Sequence, residues 1–201
     1  MPDSAPSPAI AGTSWAAVPI RAALALILGV AITLSPEHGA TFGLIALAAF
    51  ALPAGALGLA SALRGTDRGL PRALLLVHGG LTLAAGIAAA ALIGTGVVPL
   101  MVVVVAWALA TGVVEIALGA LHRDRLSRDR IIVGAASVLL GLAVLLVPAD
   151  LAQAVAGENG SAGVLTASVV VTGALGAWAV VAGVVLAIAA VTIRTPRAVT
   201  P

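Results

Sequence analysis

The chain has 201 residues, 61% of them hydrophobic and only 9% charged, with a formal net charge of +2 at neutral pH. A soluble domain of this length could not cover so much apolar surface with polar side chains, so water-soluble folds are excluded. Cysteine is absent, which removes disulfides, thiolate chemistry, and iron–sulfur or haem-thiolate ligation, and the basic residues sit in short loops rather than on one nucleic-acid-binding face.

The first nineteen residues carry Asp3 and no basic residue, the wrong charge for a signal-peptide n-region. Met1–Ser14 is rich in Pro, Ser and Ala, and 1–19 is expected to be a disordered cytoplasmic tail. Six hydrophobic runs follow, at Ile20–Leu34, Phe42–Leu63, Ala73–Ile93, Pro99–Leu121, Ile131–Val147 and Val164–Ile193. Roughly 20 apolar residues cross a ~30 Å hydrocarbon core, so the sequence predicts an all-α membrane protein with six transmembrane helices.

All ten basic residues are arginines, and all fall on one side of that reading. Arg21, then Arg64, Arg68 and Arg72, then Arg123, Arg125, Arg128 and Arg130, then Arg194 and Arg197 occupy one set of connections. The alternate connections carry Glu37, Asp150 and Glu158 and no basic residue. Arginine near span ends is retained in the cytoplasm, so both termini are expected there, in a multi-pass protein of a bacterial inner membrane. The expected layout is a transmembrane domain over 20–194, built from hairpins 20–64, 72–123 and 130–194, with a second tail over 195–201.

The hairpins look like three parallel copies of one unit. An aromatic residue precedes a glycine by five positions in the second helix of each: Phe50 and Gly55, Trp107 and Gly112, Trp178 and Gly183. Among first helices, Arg21 precedes Gly29 by eight as Arg72 precedes Gly80, and Gly29 precedes Pro36 by seven as Gly141 precedes Pro148. Glycines also recur at a spacing of seven: Gly112 and Gly119, Gly134 and Gly141, Gly176 and Gly183. In lipid, helices associate by close backbone approach at small residues, so Gly29, Gly55, Gly80 and these three pairs are the expected helix-packing positions. Pro19, Pro71 and Pro99 stand at helix starts, and Pro53 is expected to kink the second span. The third outer loop, Pro148–Gly163, is the only sizeable one and contains the sequon Asn159-Gly160-Ser161.

Three hairpins with short basic inner loops, glycine-centred first helices and the segment Gly112-Val113-Val114-Glu115-Ile116 before Arg123 resemble the HdeD-like acid-resistance membrane protein family. The resemblance covers Arg21–Arg194 and implies a six-span layout with a role in acid or other stress; it brings no catalytic residues. The chain departs from the family in its scarcity of interfacial aromatics and its long third outer loop.

Glu115 is the one carboxylate inside a span, and His78, in the partner helix of the same hairpin, is the one histidine. Counted from the turn near Gly96, His78 lies 18 positions back and Glu115 lies 19 forward, which puts both at nearly the same depth. Such a pair is a candidate proton-titrating unit. The alternative is that Glu115 is protonated, or reaches Arg123 or Arg125, while His78 bonds a backbone carbonyl. Trp107 and Trp178 are expected to pack against the repeat glycines. His38 and Glu37, in the first outer turn, could sense external pH or simply be solvated, and the loop His122–Arg130 could touch anionic headgroups or simply pair with Asp124 and Asp129. Ser and Thr residues inside the spans are expected to bond backbone. No phosphate loop, metal-ligand cluster or nucleophile–base arrangement is present in the sequence, so no enzyme, cofactor or metal is expected. The expected partners are the lipid bilayer and a second copy or another membrane protein, not nucleic acid. A proton-coupled transporter or channel is the competing functional class; parallel repeats exclude an inverted-repeat carrier.

Overall fold

The computed structural model describes residues 17–121, 126–156 and 162–194. Its elements are α1 (Ala17–Leu34), α2 (Ala40–Arg64), α3 (Leu70–Ala91), α4 (Val97–Leu121), α5 (Ser127–Leu145), β1 (Ala152–Ala156), β2 (Ala162–Thr166) and α6 (Ala167–Arg194). Among the described residues, five helices, all but α5, are long and apolar enough to cross a membrane. The first turn of α5 is Ser127-Arg128-Asp129-Arg130, so its apolar stretch begins only at Ile131. It lies against α4 nonetheless, and the chain folds as a helical membrane protein of six helices. The tails 1–16 and 195–201, Arg123, Asp124 and Arg125, and Glu158 with the sequon at Asn159 lie outside the described residues.

Two expected boundaries are corrected. Ala17–Pro19 belong to α1 rather than to a tail, because Pro19 falls in the first turn, where no backbone donor is needed. Val164–Thr166 belong to a strand rather than to the sixth span. β2 pairs antiparallel with β1, Ala152 opposite Thr166, and the Ala167 amide donates to the Leu151 carbonyl at 3.2 Å beneath the hairpin. The third outer connection is therefore a strand hairpin, not an open loop. Pro53 lies within α2, which runs unbroken from Ala40 to Arg64.

The most intimate helix pairs are not the sequential hairpins. α2 lies against α3, α4 against α5, and α6 against α1. Small residues set these distances, since apolar side chains gain little by leaving lipid and packing must come from close contact. A Cβ built on Gly112 would stand 2.7 Å from the Gly134 carbonyl oxygen, and one on Gly134 would stand 2.7 Å from the Gly112 oxygen.

The same contacts recur at matching places in all three pairs. Gly29 meets Val180, Gly86 meets Leu52 and Gly141 meets Leu109, while Gly183 meets Leu26, Gly55 meets Leu83 and Gly112 meets Val138. The register follows. From α1 to α3 equivalent residues are 57 positions apart and from α3 to α5 they are 55, whereas from α2 to α4 they are 57 and from α4 to α6 they are 71. The last step is longer because the strand hairpin is inserted there. With α6 on α1, the repeat closes into a ring.

This register corrects the alignment of first helices. The counterpart of Gly29 is Gly86, not Gly80, and the counterpart of Arg21 is His78, not Arg72. A Cβ on Gly80 would meet nothing within 4 Å, so Gly80 is not a packing glycine; its neighbour Gly79 and Gly86 face α2 instead. The other expected positions (Gly29, Gly55, Gly112, Gly119, Gly134, Gly141, Gly176 and Gly183) all sit in helix contacts.

Phe50, Trp107 and Trp178 occupy one register position of α2, α4 and α6, and they meet at the centre of the bundle. Their rings are edge to face, with centroids 6.0 Å apart for Phe50–Trp107, 5.6 Å for Phe50–Trp178 and 4.9 Å for Trp107–Trp178. The expected packing of tryptophan on the repeat glycines is thus overturned. Five residues on, a helix has turned by about 140°, so each glycine faces an outer neighbour while its aromatic partner faces the axis.

Candidate functional site

Glu115 is almost wholly buried, 5% exposed, on α4. Its Oε1 accepts a hydrogen bond from Arg21 Nη2 at 2.8 Å and lies 3.2 Å from His78 Nε2. The expected meeting of His78 with Glu115 occurs. The third member, Arg21, was assigned by its sequence position to membrane topology alone.

The repeat explains why these three converge. Arg21 and His78 hold the same place in α1 and α3, so both side chains arrive at one level of the bundle; Val133 holds that place in α5. On the even helices the matching positions are Gly58, Glu115 and Leu186. Ionisable side chains thus occupy three of these six places. Arg21 brings a guanidinium cation. A buried carboxylate without such a partner would be costly.

Two cavities flank the cluster at the arginine-bearing end of the bundle. One, of about 70 Å³, is lined by Arg21, His78, Glu115, Asp129, Arg130 and Val133, among others. A second, of about 50 Å³, lies on the opposite side of Arg21 and His78, where α2 presents Gly58 and Ser61. The walls of both are mostly apolar, with a few polar side chains, Arg21 and His78 in each, at their edge. Burial raises the Asp129 carboxyl above its ordinary value, while Arg128 beside it pulls the other way.

Several span hydroxyls bond backbone as expected, whereas the buried Thr172 Oγ1 has no hydrogen-bond partner among the described residues. Thr33 donates to the Gly29 carbonyl at 2.8 Å, Thr82 to His78 at 2.9 Å, Thr111 to Trp107 at 2.6 Å and Ser137 to Val133 at 2.9 Å. Ser137 also accepts the Trp178 Nε1–H at 2.9 Å. Trp107 Nε1 has no such partner among the described residues, although Thr82 holds in α3 the place of Ser137 in α5. His38 stands apart from the cluster, edge to face with Phe42 at 6.5 Å. Among the described residues no group of three or more His, Asp or Glu side chains is placed to hold a metal.

No curated protein and no solved structure matches the chain. A family signature described as a short repeat of unknown function (DUF308) matches twice, over residues 20–91 and again over 77–146. The two matches begin 57 positions apart, the step that separates Phe50 from Trp107 and Arg21 from His78. Because they jointly span well over half of its length and repeat with the period of its own helix packing, the chain belongs to the DUF308 short-repeat family.

Proposed function

We propose that this is a non-enzymatic protein of a bacterial inner membrane, of the HdeD-like type, that serves survival under acid or related envelope stress through the Glu115–His78 pair. The arginine-bearing end is assigned to the cytoplasm by the retention of basic residues on that side. The observation that carries the reading is the buried carboxylate in contact with an imidazole beside a cavity at that end. A carboxylate and an imidazole held 3.2 Å apart inside the bundle are the groups through which a proton would act on the helices. Three aromatic rings fill the bundle axis above it, which favours a responsive structural element over a conduit.

The test is acid survival of a deletion strain complemented with wild type or Glu115→Gln. Deletion should lower survival at low external pH, wild type should restore it and the variant should not. Unchanged survival after deletion would remove the reading. The Arg21–His78–Glu115 cavity also supports a proton-coupled carrier as a second reading. Proton flux in liposomes that vanishes in Glu115→Gln would favour that reading, and absence of flux in both proteins would dismiss it.

A further inference from the structure

Arg21 and His78 border a cavity on each side. Towards α4 they meet Glu115; towards α2, the same register position is Gly58, and the 50 Å³ cavity lies there. A Cβ built on Gly58 would meet only the Gly79 backbone within 4 Å, at 3.3 Å. The α2-side cavity has no carboxylate in its lining, whereas the 70 Å³ cavity already holds Glu115 and Asp129. Besides Arg21 and His78 it offers the Ser61 hydroxyl, and the rest is apolar, with Leu57 and Leu75 the largest side chains. Donors remain for a second acceptor. Glu115 takes one N–H of Arg21 through a single oxygen, and among the described residues the guanidinium makes no other hydrogen bond. It has five to give. Thr33, Thr82, Thr111 and Ser137 each donate to the carbonyl four residues back, and Ser61 does not. In α4 and α6 its register position holds Leu118 and Ala189, so this hydroxyl is peculiar to α2.

We infer that the α2-side cavity binds a small monocarboxylate of the size of acetate, which takes beside Gly58 the part that Glu115 takes on α4. One carboxylate oxygen accepts from Arg21, the other from Ser61, and the methyl group rests on the leucines. On the measure by which one water needs ~10–15 Å³, about 50 Å³ is room for a few heavy atoms and no more. Glu115 stays ionised throughout. A second carboxylate would leave the cluster negative, so the anion enters together with a proton on His78. One guanidinium, one imidazolium and two carboxylates then balance. The charged groups that face His78 are Arg21 from α1, Glu115 from α4, and Asp129 and Arg130 from α5 across the larger cavity; α2 supplies none. The inference rests on the Glu115–His78 pair as the functional site and gives that site a ligand.

The test uses the full-length protein in lipid nanodiscs with sodium acetate as the probe. Saturation transfer from protein to the acetate methyl is followed by nuclear magnetic resonance as acetate is raised, at about pH 6 and about pH 8, on either side of the range in which an imidazole takes up its proton. Binding should be saturable at the lower pH and several-fold weaker at the higher. Ser61→Leu, which copies Leu118 of α4 into the cavity, should abolish it. Should that variant fail to fold, Ser61→Ala removes the hydroxyl alone and should weaken binding several-fold. Absence of saturable binding in the wild type, equal affinity at the two pH values, or wild-type affinity in the Ser61 variants overturns the inference. Displacement of acetate by an equal concentration of chloride overturns the assignment to a carboxylate. Saturable acetate binding without any effect of deletion on acid survival keeps the ligand and removes the stress role; a survival defect without acetate binding does the reverse.

Discussion

A methyl group added at Gly79 would stand 2.7 Å from the Leu59 amide nitrogen, whereas one added at Gly80 would meet nothing within 4 Å. Alanine is favoured over glycine in a helix by about 1 kcal/mol, and overpacking a tight contact costs about 1–3 kcal/mol. Gly80→Ala should therefore keep or raise the thermal midpoint in detergent, and Gly79→Ala should lower it by several degrees. Equal midpoints would refute the assigned faces of α3. The sequence makes the two glycines hard to tell apart, because distance from an arginine favours Gly80. Spacing within the helix was the better guide: Gly79 and Gly86 are seven apart, like Gly112 and Gly119. The same register would have revealed Arg21. Its step of 57 to His78 equals that of the aromatic residues, but an arginine at the edge of a span reads first as a topology signal.

At the scale of elements, the helices were legible because hydrophobic runs of spanning length have few alternatives in lipid. The strand hairpin was not. Val164 continues without a break into the apolar run of α6, so only the pairing of β2 with β1 reveals where the helix starts. The four other connections between helices are each five residues long, and the hairpin interrupts only the α5–α6 connection. Among the described residues its main contact with a helix is that of β2 with α6, and the Leu151–Ala167 hydrogen bond already closes its base. Replacing residues 152–166 with a short glycine-containing turn should leave the bundle folded, with a thermal midpoint within a few degrees of wild type. Loss of folded protein would mean that the hairpin braces the outer end.

For the whole molecule, the arginines made the up-and-down path readable, yet the closure of the ring was not. It depends on the first and last helices meeting, where Gly176 faces Ile32 and Gly183 faces Leu26, and no local pattern announces a contact across the chain. α2 reaches α3, and α4 reaches α5, through links of five residues at the arginine end. A link of similar length from Arg194 to Ala17, with new termini opened between Arg64 and Leu70, should yield a folded circular permutant. Its helical content and its elution as a single species in detergent would check this, and aggregation would argue that chain order is needed for assembly. The aromatic centre has an optical consequence as well. Two indoles 4.9 Å apart and tilted by 82° are close enough for their excited states to couple, and only one of them has a hydrogen-bonded N–H. Near-ultraviolet dichroism of the unlabelled protein therefore reads the separation of α4 from α6 directly: a centre that stays packed keeps that signal, and one that comes apart loses it.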